Sequence, residues 1–273
     1  MSAPDVHIRP LSTQEELLAC VALQREIWGA EFTDVVPPSL LKVAQRVGGI
    51  AAGAFAPGGR LLGFVFGLTG VEGGQIVHWS DMLAVVADAR NLGLGRQLKE
   101  YQRRTVRDRG ARVIYWTYDP LVARNAHLNF NVFGVRVTEY VPEMYGDTAS
   151  ALHSGIGTDR FIVAWPTDDA AVRDMIRQNH AAGTDRALLE SGVLNPARDG
   201  RGEGMSRDGD TPSAGRVEIP VDITEVQQQD PRAARRWRQS TREAFQRALG
   251  AGLVVRGFVV DACARRGYYL LAR

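Results

Sequence analysis

Between residues 76 and 117 an apolar run, a glycine turn, an amphipathic stretch and a second apolar run follow one another, and that order leaves few folds open to the chain. The first run, Ile76-Val77-His78-Trp79-Ser80-Asp81-Met82-Leu83-Ala84-Val85-Val86, reads as a strand. Arg90-Asn91-Leu92-Gly93-Leu94-Gly95 fits the pattern Arg/Gln-x-x-Gly-x-Gly, whose glycines let the backbone turn tightly and approach a ligand. A helix is predicted from Arg96 to Arg109, with Leu94, Leu98, Tyr101 and Thr105 on one face, Arg103, Arg104 and Arg107 on the wet face, and Gly110 as its stop. Arg112-Val113-Ile114-Tyr115-Trp116-Thr117, rich in β-branched and aromatic residues, is the next strand. Strand, turn, helix, strand makes a parallel βαβ unit, with an anion site where the free N–H groups of the helix start meet the turn. A dinucleotide fingerprint is excluded because Leu98 holds the place of its third glycine, and a Walker loop because no Gly-Lys-Ser/Thr follows.

Charge and cysteine content narrow the function classes. Lys+Arg 33 against Asp+Glu 31 leaves a net charge of +2, which gives no general reason to expect a nucleic-acid partner. Cys20 and Cys263 stand far apart and match no metal or redox motif, so they read as buried free thiols, with a disulfide between them as the alternative, and no metal is expected. Neither a basic-then-apolar leader nor a long unbroken apolar stretch is present, and the chain reads as a cytoplasmic enzyme with no membrane partner.

Ahead of the βαβ unit, Val6 to Arg9 reads as a strand, and Ser12 or Thr13 can cap a helix through Trp28. Pro37-Pro38-Ser39 opens a short helix, and Ile50 to Phe55 with Leu61 to Leu68 form a hairpin around Pro57-Gly58-Gly59. After it come a helix around Arg124 to Phe133, a closing strand pair (Val135 to Tyr140, Phe161 to Trp165), and a polar helix from Asp168 to His180. Pro196 to Arg216, nearly devoid of apolar residues, reads as a flexible linker. Val217 to Ile223, a helix from Asp230-Pro231 to Leu249, and strands Leu253 to Val260 and Tyr268 to Leu271 repeat the strand, helix, strand, strand order seen from Arg112 to Trp165. This βαββ unit has an open sheet edge, to be covered by the core or, as a homodimer, by a second copy. The helix at 231–249 carries Arg232, Arg235, Arg236, Arg238 and Arg242, read as a solvated basic face.

Leu83-Ala84-Val85, Arg90 to Gly95 and Leu98-Lys99 together resemble the acyl-CoA-binding motif of the GNAT acyltransferase superfamily. Gln102-Arg103, Trp116-Thr117-Tyr118-Asp119-Pro120-Leu121, Arg124-Asn125-Ala126, Tyr145-Gly146 and Asp159-Arg160-Phe161 resemble one subgroup of predicted GNAT proteins, some of them similar to amino-acid N-succinyltransferases. The resemblance covers about Ile8 to Trp165. It implies an α/β GNAT fold, a mixed central sheet flanked by helices, as domain 1–167; a helix and linker at 168–216 follow, and the repeated element order makes 217–273 a βαββ extension resembling a half-GNAT unit. It also implies acetyl-CoA or another acyl-CoA as co-substrate and a small-molecule amine as acceptor.

Acyl transfer to an amine requires a held diphosphate, a placed thioester carbonyl and a neutral amine. The turn, Arg90, Asn91, Leu92, Gly93, Leu94, Gly95 and Arg96, serves the first need, and free backbone around Leu83, Ala84 and Val85 serves the second. Asp81, nine positions before Arg90, stands where many superfamily members carry a proton-relaying Glu or His and is the candidate base, with His78 the weaker choice. The subgroup has His-Ser-His-Met where this chain has Trp79-Ser80-Asp81-Met82. The resemblance places a general-acid Tyr four residues before Gly134, but that residue is Phe130, so no acid is assigned. Asn125 is a candidate contact to the pantetheine arm, and Arg124 or Arg160 could pair with a carboxylated acyl group such as succinyl. Alternatives are a succinyl-CoA-dependent amino-acid N-succinyltransferase and an acyl-CoA-binding protein without turnover.

Overall fold

The computed structural model describes residues 6–146, 155–195 and 212–273, in two compact units. Of these, the first holds residues 6–116 and 166–168, and the second holds 117–146, 155–165, 169–195 and 212–273. The described residues of 117–165, read from sequence as the end of the first domain, thus fall in the same unit as the C-terminal βαββ segment.

In the first unit the strands are β1 (His7–Pro10), β2 (Ile50–Phe55), β3 (Leu61–Glu72), β4 (Gln75–Val85) and β5, which starts at Val113 and ends at Tyr118 in the second unit. β1 to β4 pair antiparallel in sequence order and β5 joins β4 in parallel, giving a mixed sheet. Between β1 and β2 lie α1 (Gln14–Trp28) and α2 (Pro38–Arg46), and α3 (Leu94–Asp108) links β4 to β5. Thr13, rather than Ser12, caps α1: its hydroxyl accepts from the Glu16 N–H, and Glu16 reaches back to the Ser12 and Thr13 N–H groups in a capping box. Phe64, Phe66, Leu17, Leu41 and Leu94 belong to one apolar cluster that joins the sheet to α1, α2 and α3.

The second unit contains α4 (Ala123–His127), which runs straight into a π-helical turn at Leu128–Phe133 and ends at Gly134 with φ +68°. β6 (Arg136–Val141) and β7 (Arg160–Pro166) pair antiparallel. α5 (Asp169–Thr184) and α6 (Arg186–Leu189) follow, then β8 (Ala214–Pro220), α7 (Ile223–Gln229), α8 (Pro231–Gly250), β9 (Val254–Asp261) and β10 (Arg266–Ala272). The last three strands form an antiparallel sheet in the order β8-β10-β9. Most of the predicted linker falls outside the described residues, but its end does not: Ala214–Arg216 already pair with Leu270–Ala272, so β8 starts earlier than composition indicates. Phe161, Phe245, Tyr140 and Tyr269 form an aromatic cluster with ring centroids 4.7–5.5 Å apart.

Candidate functional site

The glycine turn and the start of α3 leave donors unused. Asn91 and Gly93 adopt φ of +65° and +75°, the left-handed region that Asn tolerates and Gly favours. Gly93 is the N-cap, no side chain caps the helix, and the first helical bond from this end is Gln97 N–H to Gly93 O at 3.1 Å. The N–H groups of Leu94, Gly95 and Arg96 therefore have no acceptor within the helix. No side chain blocks the turn: a Cβ at Gly93 would meet only Gln97 Nε2 at 3.9 Å, and one at Gly95 only Leu83 Cδ2 at 3.8 Å. Arg90, Asn91, Leu92 and Arg96, adjacent in sequence to this concentration of partial positive charge, are exposed.

Beside the turn, β4 outruns its parallel partner. Registered pairs with β5 are Val77 with Val113, His78 with Ile114 and Trp79 with Tyr115, and the ladder stops there although β4 continues to Val85. Val86 N–H donates to Leu62 O at 2.9 Å, so Val86 and Ala84 turn their main-chain groups toward β3. Because main-chain direction alternates along a strand, Leu83 and Val85 present theirs to the opposite, open edge. Ala84 differs from its neighbours in this respect: it is buried, and its main chain is used by β3.

Asp81 is the odd residue in this strand. Phe66 pairs with Met82 and Gly67 with Ser80, which makes Asp81 the extra residue of a β-bulge, a device that re-aims a side chain. It is exposed, while His78, Ser80, Met82 and Ala84 are buried on the opposite face. Desolvation by the surrounding protein raises the Asp81 carboxyl above the ordinary carboxylate range, and the negative charge of Asp34 raises it further. Asp34, from the segment between α1 and α2, carried no sequence signal, since only the tertiary fold brings it near β4.

His78 is not a base. It is fully buried between Gln102 Nε2 and Thr69 Oγ1, both at 3.0 Å, and burial with the charges of Lys99 and Arg109 lowers its pKa to about 3. The amide N–H of Gln102 requires an acceptor at Nε2, so the ring proton resides on Nδ1 and points to Thr69, whose hydroxyl donates to Gly48 O. The inner face of α3 also departs from expectation. Leu94, Leu98 and Val106 are buried as a helical stripe, but Lys99, Gln102 and Arg103 are buried beside them, and Tyr101 and Thr105 are only partly covered. Arg103, expected on the wet face, donates to Thr167 O at 2.8 Å and pairs with Glu100.

The remaining candidates lie in the second unit. Asn125 is half-buried on α4, its main-chain N–H donating to Val122 O at 2.9 Å. Arg124 is exposed; Arg160 is buried, donates to Asp159 O at 2.8 Å and lies 3.9 Å from Asp119. Phe130 is fully buried and packs edge-on against Tyr269 at 6.0 Å, so no proton donor stands at that position. The basic face of α8 is only partly solvated. Arg238 is buried against Asp119 at 2.6 Å, and Arg242 bonds Asp159 at 2.9 Å and also pairs with Glu143. Cys20 and Cys263 are both free; Cys20 is buried as expected, but Cys263 is exposed. Among the described residues no group of His, Cys, Asp and Glu is arranged to hold a metal, and no helix is long and apolar enough to cross a membrane.

No family model matches the sequence, and no curated protein does. Solved structures do resemble it. One is the ribosomal-protein-S18-alanine N-acetyltransferase of Escherichia coli, at 16% identity and a TM-score of 0.46, covering 60% of this chain and 94% of that one. Another, an acetyltransferase of the GNAT family from Streptococcus pneumoniae, has 16% identity and a TM-score of 0.46 over 59% of this chain and 99% of its own. Arabidopsis thaliana Naa50, solved with the bisubstrate analogue CoA-Ac-MVNAL, has 16% identity and a TM-score of 0.46, covering 58% of this chain and 97% of that one. Likeness this loose carries no activity from those proteins to this chain.

Proposed function

We propose that the protein is an acyl-CoA-dependent N-acyltransferase of GNAT type, with its donor site on the first unit and a small-molecule amine as acceptor. The observation that carries the reading is the juxtaposition of unused N–H groups at the start of α3 with the unpartnered edge of β4. A donor with a diphosphate and a long amide-bearing arm matches both in chemistry. The N–H groups of Leu94, Gly95 and Arg96 would hold the diphosphate, with Arg90 and Arg96 adding charge-assisted bonds. Main-chain groups of Leu83 and Val85 would pair with the arm as a strand pairs with its neighbour. The open turn satisfies the steric requirement, since a bulky residue at 93 or 95 would occupy the space.

When bound, an acyl-CoA supplies an activated thioester carbonyl: the amine nitrogen bonds to that carbon, the carbon–sulfur bond breaks, and the thiol is released. Asp81 would take the proton of the attacking amine, a task its raised pKa suits, because a stronger base accepts a proton more readily. Acyl-CoA binding without turnover is the second reading, favoured by the buried phenyl ring of Phe130. A screen of acetyl-CoA and succinyl-CoA against a panel of amines, read by thiol release and by calorimetric binding, separates the readings. Release with one donor and amine identifies the enzyme and its donor; micromolar binding with no release across the panel identifies the binder; absence of binding to both donors refutes the site.

A further inference from the structure

α3 touches the two strands at the place where they part. The last registered pair of the β4–β5 ladder is Trp79 with Tyr115, and the next residues along the two strands are Ser80 and Trp116. Lys99 reaches both: its Nζ donates to Ser80 Oγ at 2.7 Å and lies 3.8 Å from the centre of the Trp116 ring. One turn further along the helix, Gln102 bonds His78, which is still within the paired part of the ladder. The helix thus holds β4 once on the paired side of the fork and once on the open side.

This placement is costly. Lys99 is 4% exposed and has no ion-pair partner among the described residues. A buried ammonium without a carboxylate loses its hydration, and one hydrogen bond with one aromatic face returns only part of that loss. Methionine would fill the same volume at lower cost. Burial drives the Lys99 pKa well down, yet in either protonation state an N–H can reach Ser80 Oγ and another the indole face.

We propose that Lys99 is a positioning residue that fixes the opening between β4 and β5 by tying Ser80 to Trp116 at the fork, and so sets the geometry of the β4 edge offered to the donor's arm. The inference rests on the acyl-CoA reading above. Without the tie, the ladder is free to zip past Trp79 or to fray back from it, and either change alters the edge at Leu83 and Val85.

The test compares wild type with K99M, S80A, S80T and the K99M/S80A double variant. Acetyl-CoA affinity is measured by calorimetry, and amide hydrogen exchange is followed in ligand-free protein along residues 80–86 and 113–116. K99M and S80A should each weaken acetyl-CoA by about five- to tenfold, the worth of a buried hydrogen bond. S80T, which keeps the hydroxyl, should stay within about twofold, and the double variant should bind like K99M because both changes remove one contact. Exchange in the two segments should change in K99M and S80A but not in S80T. Unchanged affinity and exchange in folded K99M and S80A would overturn the proposal. Should wild type bind no acyl-CoA, the functional reading fails, and the exchange data still decide whether Lys99 holds the fork. If K99M does not fold, S80A and S80T decide the same question between them.

Discussion

In the first unit, polar main-chain groups at the glycine turn and along β4 are left without protein partners, whereas the second unit surrounds its charged side chains with several. Asp119 accepts from the Leu121 N–H and from Arg238, with Arg160 close by. Asp159 meets Arg242, Tyr140 and the Glu143 N–H, which outweigh its burial and hold its carboxyl below the ordinary range. An exception is Arg238 Nη1, buried with no hydrogen-bond partner. Partners missing at an open surface point to a ligand, and partners satisfied in a closed interior point to a structural role. On that criterion the proposed chemistry belongs to the first unit, while Arg238 and Arg242 of α8 pair with carboxylates inside the second.

G93E challenges this contrast most directly. It puts bulk and negative charge in the open turn and should abolish acyl-CoA binding in calorimetry; retained affinity would remove the turn from the site. R238M tests the other side. Stranding buried Asp119 should cost about 3 kcal/mol in urea unfolding, toward the low end for a broken buried pair because Arg160 remains, with acetyl-CoA affinity of the folded protein unchanged. D81N should lower kcat by about a hundredfold with little change in acyl-CoA affinity, the expected loss of a general base; a normal kcat would return Asp81 to a structural role.

The smallest effect separates the units by pH. His78 has a folded pKa of about 3 against an ordinary value of 6.5, so its contribution is fully present above pH 6.5 and is lost as pH falls toward 3. Linkage gives about 2 kcal/mol of lost stability between pH 7 and pH 5 from this one ring. Asp159, with a pKa held below 3.8, loses its contribution only in more acid solution. Equilibrium unfolding followed by hydrogen exchange should therefore show the first unit weakening first on mild acidification, and H78Q should flatten its pH dependence. Equal loss in both units over that range would contradict the assignment.

Much of the first unit was legible because its signals are local. The glycine turn, the apolar stripe of Leu94, Leu98 and Val106, and the β-branched run before Tyr115 follow from backbone sterics and periodicity alone. The bulge that makes Asp81 an extra residue was not legible, since it depends on register against β3. Arg103 was read on the wet face by residue type, yet it lies buried beside the apolar stripe with Lys99 and Gln102; projecting the three onto the stripe would have flagged them. Asp34 near Asp81 and Arg238 against Asp119 depend on contacts distant in sequence, which composition cannot register. The short helices α6 and α7 were missed for a related reason: each is a few residues long and opens on an Asp cap, Asp185 and Asp222, in otherwise unpatterned polar stretches.

Gly67 faces Ser80 across the bulge, and a methyl group there would run into His78 Nε2, the Trp79 carbonyl at 2.5 Å and Gln102 Nε2 at 2.9 Å. The first of these is a ring already committed on both nitrogens, and the second is main chain, so neither can retreat cheaply. If the proposed acyl transfer holds, acceptor preference could drift by exchanging exposed side chains around the turn while this one position stays fixed. In a selection experiment that randomises β3 and β4 for new acceptors, codon 67 should therefore return glycine even when Asp81 does not return aspartate.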